Sequence, residues 1–341
     1  MTLSRRDQIL KYIVEHFIKT AQPVGSHTLI ETYHLPFSSA TIRNEMLALE
    51  QLGFLEKTHS SSGRVPSSEG YRFYCEYLRD NNINEEFKMM LVDILNEKSK
   101  SIDEVMKSSC EILSHMTSLA SIVLGPSVQK ETLASIQCIP LSTNSASIIF
   151  VTDKGYVENK TFVFDEKTSI NDLSKCLKLF NDRLIGTPIY QLVEKTEALK
   201  PVLQEFIVEH DVMYKAIIET FVRFAKDRME LVGKNELFDQ PEFLDDAKKM
   251  RQILDLFESP QKLKDYKANS SSDYQKGNIE IHIGNENDGP DVSIVTTKFR
   301  FGNKDEGSIA LVGPKRMDYD KVLSALELLE QLLRDKYEME E

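Results

Sequence analysis

Residues 38–71 read SSATIRNEMLALEQLGFLEKTHSSSGRVPSSEGY. Ser38 or Ser39 can cap a helix that ends at Gly53, since a serine hydroxyl can accept from the first free backbone amides. The apolar stripe of this helix consists of Ile42, Met46 and Leu49 at i, i+4 and i+7. Two short strand-like runs follow, separated by a loop of small residues that carries Arg64. The segment therefore predicts a short amphipathic helix followed by a two-stranded hairpin.

Two more helices are predicted upstream of this segment. The first runs from Ser4 to Thr20 and the second from Ser26 to about His34. Three helices followed by a hairpin are the order of a winged helix-turn-helix, whose recognition helix lies in the major groove of DNA. We therefore expect residues 1–80 to form a winged helix-turn-helix DNA-binding domain.

The third helix supplies the first set of candidate DNA contacts, which are Ser39, Thr41, Arg43 and Asn44. The outer face of this helix is small and polar near its N-terminus, which would let it approach base edges. Arginine can pair bidentately with guanine, and asparagine can pair in the same way with adenine. Taken alone, the same pattern also describes a surface helix whose polar residues only face water.

The hairpin supplies the second set, which is Lys57, His59, Ser60, Gly63 and Arg64. The loop from Lys57 to Ser68 contains no acidic residue. Serine hydroxyls and backbone amides can donate to phosphate oxygens, and a glycine permits close approach of the backbone. A solvated flexible hairpin would have a similar composition.

The charge distribution predicts how such a domain would bind. Residues 1–80 contain nine Lys or Arg and nine Asp or Glu, so the whole net charge of −12 lies in residues 81–341. Because phosphate neutralisation supplies much of the affinity for DNA, a neutral domain should bind weakly as a single copy. We therefore expect a homodimer, in which the second contact becomes intramolecular and the two-fold axis matches an inverted-repeat operator.

Other classes of protein are disfavoured by the sequence. No apolar run approaches the roughly 18 residues of a membrane span, and the first residues lack an apolar signal region, so we expect a cytoplasmic protein. The four cysteines are far apart and predict reduced thiols. The chain lacks HExxH, GxSxG, P-loop and GxGxxG motifs. We expect no catalytic residues, no metal site and no cofactor.

Four blocks of the sequence carry a family resemblance. They are PVGSHTL (23–29), SSATIRNEMLALEQLGFLEKTHSSSGRVPSSEGYRFY (38–74) and the weaker PEF (241–243) and IHIGNEN (281–287). These blocks resemble the HrcA family of heat-inducible transcription repressors. The resemblance implies a homodimeric bacterial repressor that binds an inverted-repeat operator of chaperone operons, is relieved on heat stress and is maintained by the GroEL chaperonin. It also implies that the recognition helix carries Ser39, Thr41, Arg43 and Asn44 and that the wing carries Ser60, Gly63, Arg64 and Pro66.

Beyond residue 80 the pattern alternates between strands and helices, with a long helical region predicted over residues 202–231 and more strands after residue 279. The fold class is therefore α+β, with a mixed antiparallel sheet interrupted by a helical excursion. The resemblance implies that this sheet domain is GAF-like and carries an inserted helical dimerisation segment. We expect a first sheet part at 85–185, the insert at 186–240 and a second sheet part at 241–341.

A second class of function stays open at this point. The chain could be a ligand- or partner-sensing interaction protein whose winged helix mediates protein contacts. The salt dependence of binding to an inverted-repeat duplex separates the two hypotheses, since each phosphate contact adds about −0.9 to the log–log slope.

Overall fold

The computed structural model describes residues 3–57, 63–80, 85–97, 102–124, 131–163, 170–206, 214, 217–221, 229–244, 246–257, 260–269, 273–284, 292–301 and 305–337. These residues form an α+β fold with antiparallel sheets. They fall into two compact units, one made of Met1–Gly125 and Met229–Glu341 and the other of Pro126–Arg228.

The first unit begins with three helices and a short hairpin, in the order predicted. They are α1 (Arg5–Thr20), α2 (Ser26–Tyr33), α3 (Ser39–Gln51), β1 (Leu55–Lys57) and β2 (Arg64–Pro66). The two strands are antiparallel, with Leu55 opposite Pro66 and Lys57 opposite Arg64. We use the name N-terminal region for residues 3–80 of this unit.

Local chemistry determines the ends of α3. The Ser38 hydroxyl accepts a hydrogen bond from the Thr41 amide at 3.1 Å, which satisfies one of the amides left free in the first turn. Gly53 lies just beyond the helix with φ +81°, a left-handed conformation that glycine adopts without steric cost. Burial of one face against α1 and α2 holds the helix in place. The buried residues of α3 are Ile42, Glu45, Met46 and Leu49.

Four helices continue the chain from the hairpin to the main sheet. They are α4 (Ser68–Phe73), a π-helical turn (Tyr74–Leu78), α5 (Glu85–Asn96) and α6 (Ile102–Thr117). Tyr71 and Tyr74 are both buried, and the Tyr71 ring lies 5.4 Å from the ring of Tyr319. The hydrophobic core of the N-terminal region thereby continues into the core of the sheet.

The main sheet of the first unit is six-stranded and antiparallel, in the order β7-β3-β11-β10-β9-β8. Its strands are β3 (Ala120–Leu124), β7 (Met229–Val232), β8 (Asp273–Lys276), β9 (Ile279–Ile283), β10 (Val292–Phe301) and β11 (Asp305–Pro314). Alternate residues of β10 point to opposite faces, so that Ile294 joins one apolar cluster and Val295 the other.

Helices cover both faces of this sheet. The C-terminal helix (Tyr319–Tyr337), α5 and α6 pack on the Val295 face. The opposite face carries the short helices Lys234–Phe238, Pro241–Leu244, Ala247–Leu256 and Pro260–Asn269. Among the described residues, no helix combines the length and the apolar character needed to cross a membrane.

The second unit has its own three-stranded antiparallel sheet, in the order β4-β5-β6. Its elements are β4 (Leu133–Ser142), β5 (Ser145–Thr152), β6 (Val157–Val163), α7 (Ile170–Leu184), a 3₁₀ turn (Ile189–Gln191) and α8 (Leu192–Phe206). One face of the sheet forms the core with the helices, through residues such as Ile148, Phe150 and Phe180. Pro201 lies inside α8.

The division of the chain differs from the expected one. The second unit spans Pro126–Arg228, whereas the sequence analysis separated residues 186–240 from a first sheet part at 85–185. Strands β9 to β11 belong to the same sheet as β3, because β11 pairs with β3. Strands β4 to β6 form a separate sheet. The helix predicted over residues 202–231 also ends differently, since Met229–Val232 pairs with β3 as an edge strand. Apolar periodicity in a short run does not distinguish a buried helix from a strand.

Candidate nucleic-acid interface

One side of α3 faces outward from the N-terminal region. Ala40, Arg43, Asn44 and Leu47 are all exposed, with 48% of Leu47 accessible to solvent. Their spacing of i, i+3, i+4 and i+7 places them on one side of the helix. We call these four residues the outer face of α3. Two of the four predicted helix contacts, Arg43 and Asn44, lie on it.

The first carboxylate of α3 is paired with two arginines of α1. Glu45 Oε1 accepts from Arg5 Nε at 2.9 Å and Nη2 at 2.6 Å, and Glu45 Oε2 accepts from Arg6 Nε at 3.0 Å. Glu45 is buried. Hydrogen bonds from Arg5 and Arg6 lower the pKa of Glu45, so the carboxylate stays ionised and compensated.

The second carboxylate of α3 is paired with the arginine of the hairpin. Arg64 Nε and Nη2 each lie 2.7 Å from Glu50 Oε2. The Arg64 side chain is only 16% exposed. The sequence contains no other acidic residue between Ser39 and Gln51, so both negative charges of α3 are compensated by arginines. The outer face thus combines a cation and an amide with little opposing charge.

Arg43 and Ser39 meet at a third residue, Ser26, the first residue of α2. Arg43 Nε donates to Ser26 Oγ at 3.2 Å, and the hydroxyls of Ser26 and Ser39 lie 2.9 Å apart. Ser26 is 7% exposed. The structure thereby brings two predicted contact residues together at a buried hydroxyl that was not among the predictions.

Thr41 is engaged within the first turn of α3. Its hydroxyl lies 2.9 Å from the hydroxyl of Ser38, and its amide donates to the same oxygen. Thr41 is half-buried and does not lie on the outer face. Thr41 therefore takes part in the N-terminal cap of α3.

The hairpin is attached to the segment before α2. Val24 and Arg64 exchange two backbone hydrogen bonds of 3.0 Å, which adds a third strand-like segment beside β2. Gly63 is buried, and a Cβ added there would lie 2.9 Å from Pro23 Cβ and 3.0 Å from its carbonyl carbon. A glycine is needed at 63 because the Pro23 backbone passes so close.

The remaining predicted hairpin residues differ in position. Lys57 is exposed at the end of β1, directly opposite Arg64. Pro66 is buried at the end of β2. His59 and Ser60 lie outside the described residues. Of the predicted hairpin set, the structure therefore presents Lys57 to solvent and turns Gly63 and Arg64 inward.

Sequence reasoning missed the residues that hold this surface together. Ser26, Glu45 and Glu50 act through partners that lie 13 to 40 positions away in the chain. A signal for Ser26 was available, since PVGSHTL (23–29) contains it together with Pro23 and Val24. Those three residues contact α3 or the hairpin in the structure.

Polar contacts between described residues attach the N-terminal region to the rest of the first unit. The Tyr74 hydroxyl donates to Asp320 Oδ2 at 2.6 Å, and Arg79 pairs with Glu327. Burial raises the pKa of Asp320, while the hydrogen bond from Tyr74 opposes that shift. Arg316, which pairs with Glu242, also donates from Nη1 to the Ile18 carbonyl at 3.1 Å.

Comparison with known proteins identifies one family of relatives. Residues 103–323 match the model of the HrcA protein C terminal domain. The chain is 39% identical over 342 residues to the heat-inducible transcription repressor HrcA of Lysinibacillus sphaericus, covering 96% of each chain. It is 36% identical over 347 residues to the protein of the same name from Halalkalibacterium halodurans, covering 99% of each chain.

A crystal structure of a hypothetical protein has the same fold, with a TM-score of 0.66, 20% identity and coverage of 99% of both chains. The two named relatives are transcription repressors, which confirms the prediction of a transcriptional repressor and not an enzyme. The chain belongs to the HrcA family of heat-inducible transcription repressors.

Proposed function

We propose that this repressor binds an inverted-repeat operator of heat-shock chaperone operons as a homodimer and releases it on heat stress. The N-terminal region would act as a winged helix-turn-helix, with α3 in the major groove and the hairpin as the wing. The protein would act in the cytoplasm, where the operator is. The domain that contains the main sheet would be GAF-like.

The observation that carries this proposal is the charge compensation of α3. Arg5, Arg6 and Arg64 neutralise both of its carboxylates, and the outer face presents Arg43 and Asn44 to solvent. A helix can enter the major groove only where it does not set unpaired carboxylates against the phosphates. Residues 1–80 remain neutral overall, so the binding relies on specific contacts and on dimer symmetry more than on a basic surface.

We assign roles to the predicted contact residues on this basis. Arg43 would read guanine and Asn44 would read adenine, while Leu47 of the same face could contact a thymine methyl group. Lys57, His59 and Ser60 would contact phosphates. Ser39 and Thr41 lie in the first turn of α3 and would contact the DNA backbone. Gly63 and Arg64 would hold the wing in position.

The dimer contact would lie in the second unit. Strand β5 buries its even-numbered residues, so its odd-numbered residues form the opposite face of the sheet. The odd-numbered residues of β5 are half-buried. The neighbouring strands β4 and β6 carry the exposed apolar residues Ile139, Leu141, Val157 and Val163. A second copy would remove this apolar area from water. Sedimentation should show a dimer at micromolar concentration, and Val163→Glu, the most exposed position, should shift it to monomer.

Binding of the full-length chain to DNA selected from a random duplex library tests the proposal. The selected duplexes should be inverted repeats with half-sites separated by whole helical turns, since each half-site meets one copy. The affinity should fall steeply with salt, with a log–log slope of about −0.9 per phosphate contact. Salt-insensitive binding, or selected sequences without two-fold symmetry, would contradict it.

Binding to the selected duplex, measured across temperature with and without chaperonin, tests the heat response and the proposed GroEL partner. A gel shift of the selected duplex should weaken on warming. Adding the chaperonin should restore the active fraction of repressor without binding DNA itself. An unchanged active fraction with chaperonin at every temperature would contradict the GroEL part and leave the DNA-binding part standing.

A further inference from the structure

Ser26 contacts Arg43 from a buried position in α2. It is the first residue of α2, it is 7% exposed, and it follows Gly25, whose extended backbone (φ −100°, ψ 162°) sets the start of the helix. Its Oγ lies between the first turn and the second turn of α3, where it contacts Ser39 and Arg43.

The chemistry of these three groups determines the direction of one hydrogen bond. A guanidinium only donates, so Arg43 Nε must donate to Ser26 Oγ. A hydroxyl has two acceptor sites and one proton, which allows Ser26 to accept from Arg43 and still share a hydrogen bond with Ser39. The Ser26 hydroxyl, hydrogen-bonded to Ser39, therefore offers Arg43 a fixed acceptor.

A hydrogen bond at Nε leaves the two terminal nitrogens of Arg43 for another partner. Across the described residues, Arg43 makes its side-chain hydrogen bond only through Nε. The guanidinium is planar, so fixing Nε restricts the plane in which Nη1 and Nη2 can donate. A pair of donors in a restricted plane matches the two acceptors, O6 and N7, that guanine presents in the major groove.

We propose that Ser26, supported by Ser39, is a positioning residue that orients the Arg43 guanidinium for guanine before DNA is bound. This inference rests on the proposed DNA-binding function. Preorganisation lowers the ordering cost of binding, so Ser26 contributes to discrimination at one base although it touches none.

The test uses the full-length chain and the duplex that the unaltered protein selects. Each G·C pair of a half-site is replaced in turn by an A·T pair. The Kd for the altered duplex divided by the Kd for the selected duplex gives the discrimination at that position. Arg43→Ala identifies the guanine that Arg43 reads, because discrimination there is lost. Ser26→Ala should lower discrimination at that same guanine by about 2- to 12-fold, the factor that one net hydrogen bond provides.

Three comparisons separate positioning from a loss of folding. Ser26→Thr retains a hydroxyl and should recover discrimination. In the Arg43→Ala background, Ser26→Ala should cause no further loss at that guanine. Ser67→Ala removes another buried serine of the N-terminal region, which accepts from the Gly70 amide and donates to the Gly53 carbonyl. It should lower thermal stability but leave discrimination unchanged.

Unchanged discrimination in Ser26→Ala, or an equal loss in the Arg43→Ala background, would overturn the positioning role while DNA binding stands. Uniform weakening by Arg43→Ala at every base would overturn it too, since Arg43 would then contact phosphate. A chain that selects no duplex would overturn both the inference and the proposed function.

Discussion

The guanidinium of Arg64 lies against the carboxylate of Glu50, with Nε and Nη2 each 2.7 Å from Oε2. Arg64 belongs to the hairpin and Glu50 to the last turn of α3, so this pair joins the two elements that are proposed to contact DNA. The Arg64 backbone also exchanges two hydrogen bonds with the backbone of Val24, which precedes α2. The arginine expected from the sequence to contact phosphate is thus placed to hold the hairpin against the helix.

Glu50→Gln is therefore expected to weaken operator binding, by about 1 kcal/mol or about fivefold in Kd. The substitution removes a negative charge near the DNA, which by itself would favour binding, but it also loses the charge-assisted hydrogen bond that holds the hairpin. Fluorescence anisotropy measures the Kd for the operator at two salt concentrations. The effect of the removed charge should shrink at the higher salt concentration, because salt screens it. Glu56→Gln is the matched control, because Glu56 is an exposed acid of β1. Equal tightening by both variants would contradict the holding role.

Glu45→Gln is expected to loosen α3 in a pH-dependent way. Because the pKa of Glu45 is lowered by Arg5 and Arg6, its ion pairs stabilise the folded chain above its ordinary value of 4.5, and that stabilisation is lost as the pH falls through the lowered pKa. The two arginines are about half-exposed, so we expect a loss of about 1 kcal/mol at neutral pH.

Hydrogen exchange of α3 amides measures this local stability directly. The difference between wild type and Glu45→Gln should be full at pH 7 and should shrink below pH 4.5. Glu31→Gln, in an exposed carboxylate of α2, controls for charge. A difference that stays constant down to acid pH would rule out the ion pairs as its source.

Tyr74→Phe is expected to destabilise the first unit by about 1–3 kcal/mol, because the half-buried Asp320 carboxylate loses its donor. Burial raises the pKa of Asp320, so its ionisation costs stability as the pH rises above the ordinary value of 3.8, and loss of Tyr74 would raise this pKa further. The destabilisation should therefore be larger at pH 7 than near pH 4. Urea unfolding at both pH values measures it.

Tyr77→Phe is the control for this change, since Tyr77 is exposed in the same π-helical turn. It should lower the free energy of unfolding less than Tyr74→Phe does, because Tyr77 is 60% exposed. If Tyr74→Phe were as mild as Tyr77→Phe at pH 7, the Tyr74–Asp320 contact would contribute nothing to joining the N-terminal region to the C-terminal helix.

Gly63→Ala is expected to displace the hairpin and cost about 1–3 kcal/mol, because the new methyl group would lie 2.9 Å from Pro23 Cβ. Gly25→Ala is the matched substitution on the neighbouring segment, where no atom lies within 4 Å of the added Cβ. It should cost less than about 1 kcal/mol, for the poorer N-cap alone. Thermal unfolding compares the two, and equal shifts in Tm would contradict the close approach at Gly63.

The helices and the hairpin of the N-terminal region were predictable because their signals are local. Ser4 and Ser38 cap α1 and α3 through hydrogen bonds to residues three positions on, and Gly53 ends α3 through its own φ. Such contacts need no knowledge of the rest of the chain. The exposure of Arg43 and Asn44 follows in the same way from the helical spacing of the buried residues.

The expected division into domains differed from the structure because strand pairing is not local. The edge strand Met229–Val232 has a sequence that suits a helix equally well, and only its pairing with β3 makes it a strand. The separation of β4 to β6 from the main sheet likewise depends on which strand lies beside β3, and β11 occupies that position.

The sequence alone determined the family of this protein, the elements of its N-terminal region and the side of α3 that faces outward. The tertiary structure alone decided that Arg64 holds the hairpin, that Arg5 and Arg6 neutralise Glu45, and that Ser26 meets Arg43. The reason is physical: caps and periodicity act over a few residues, whereas these partners are distant in the chain and meet only when separate helices and strands pack together.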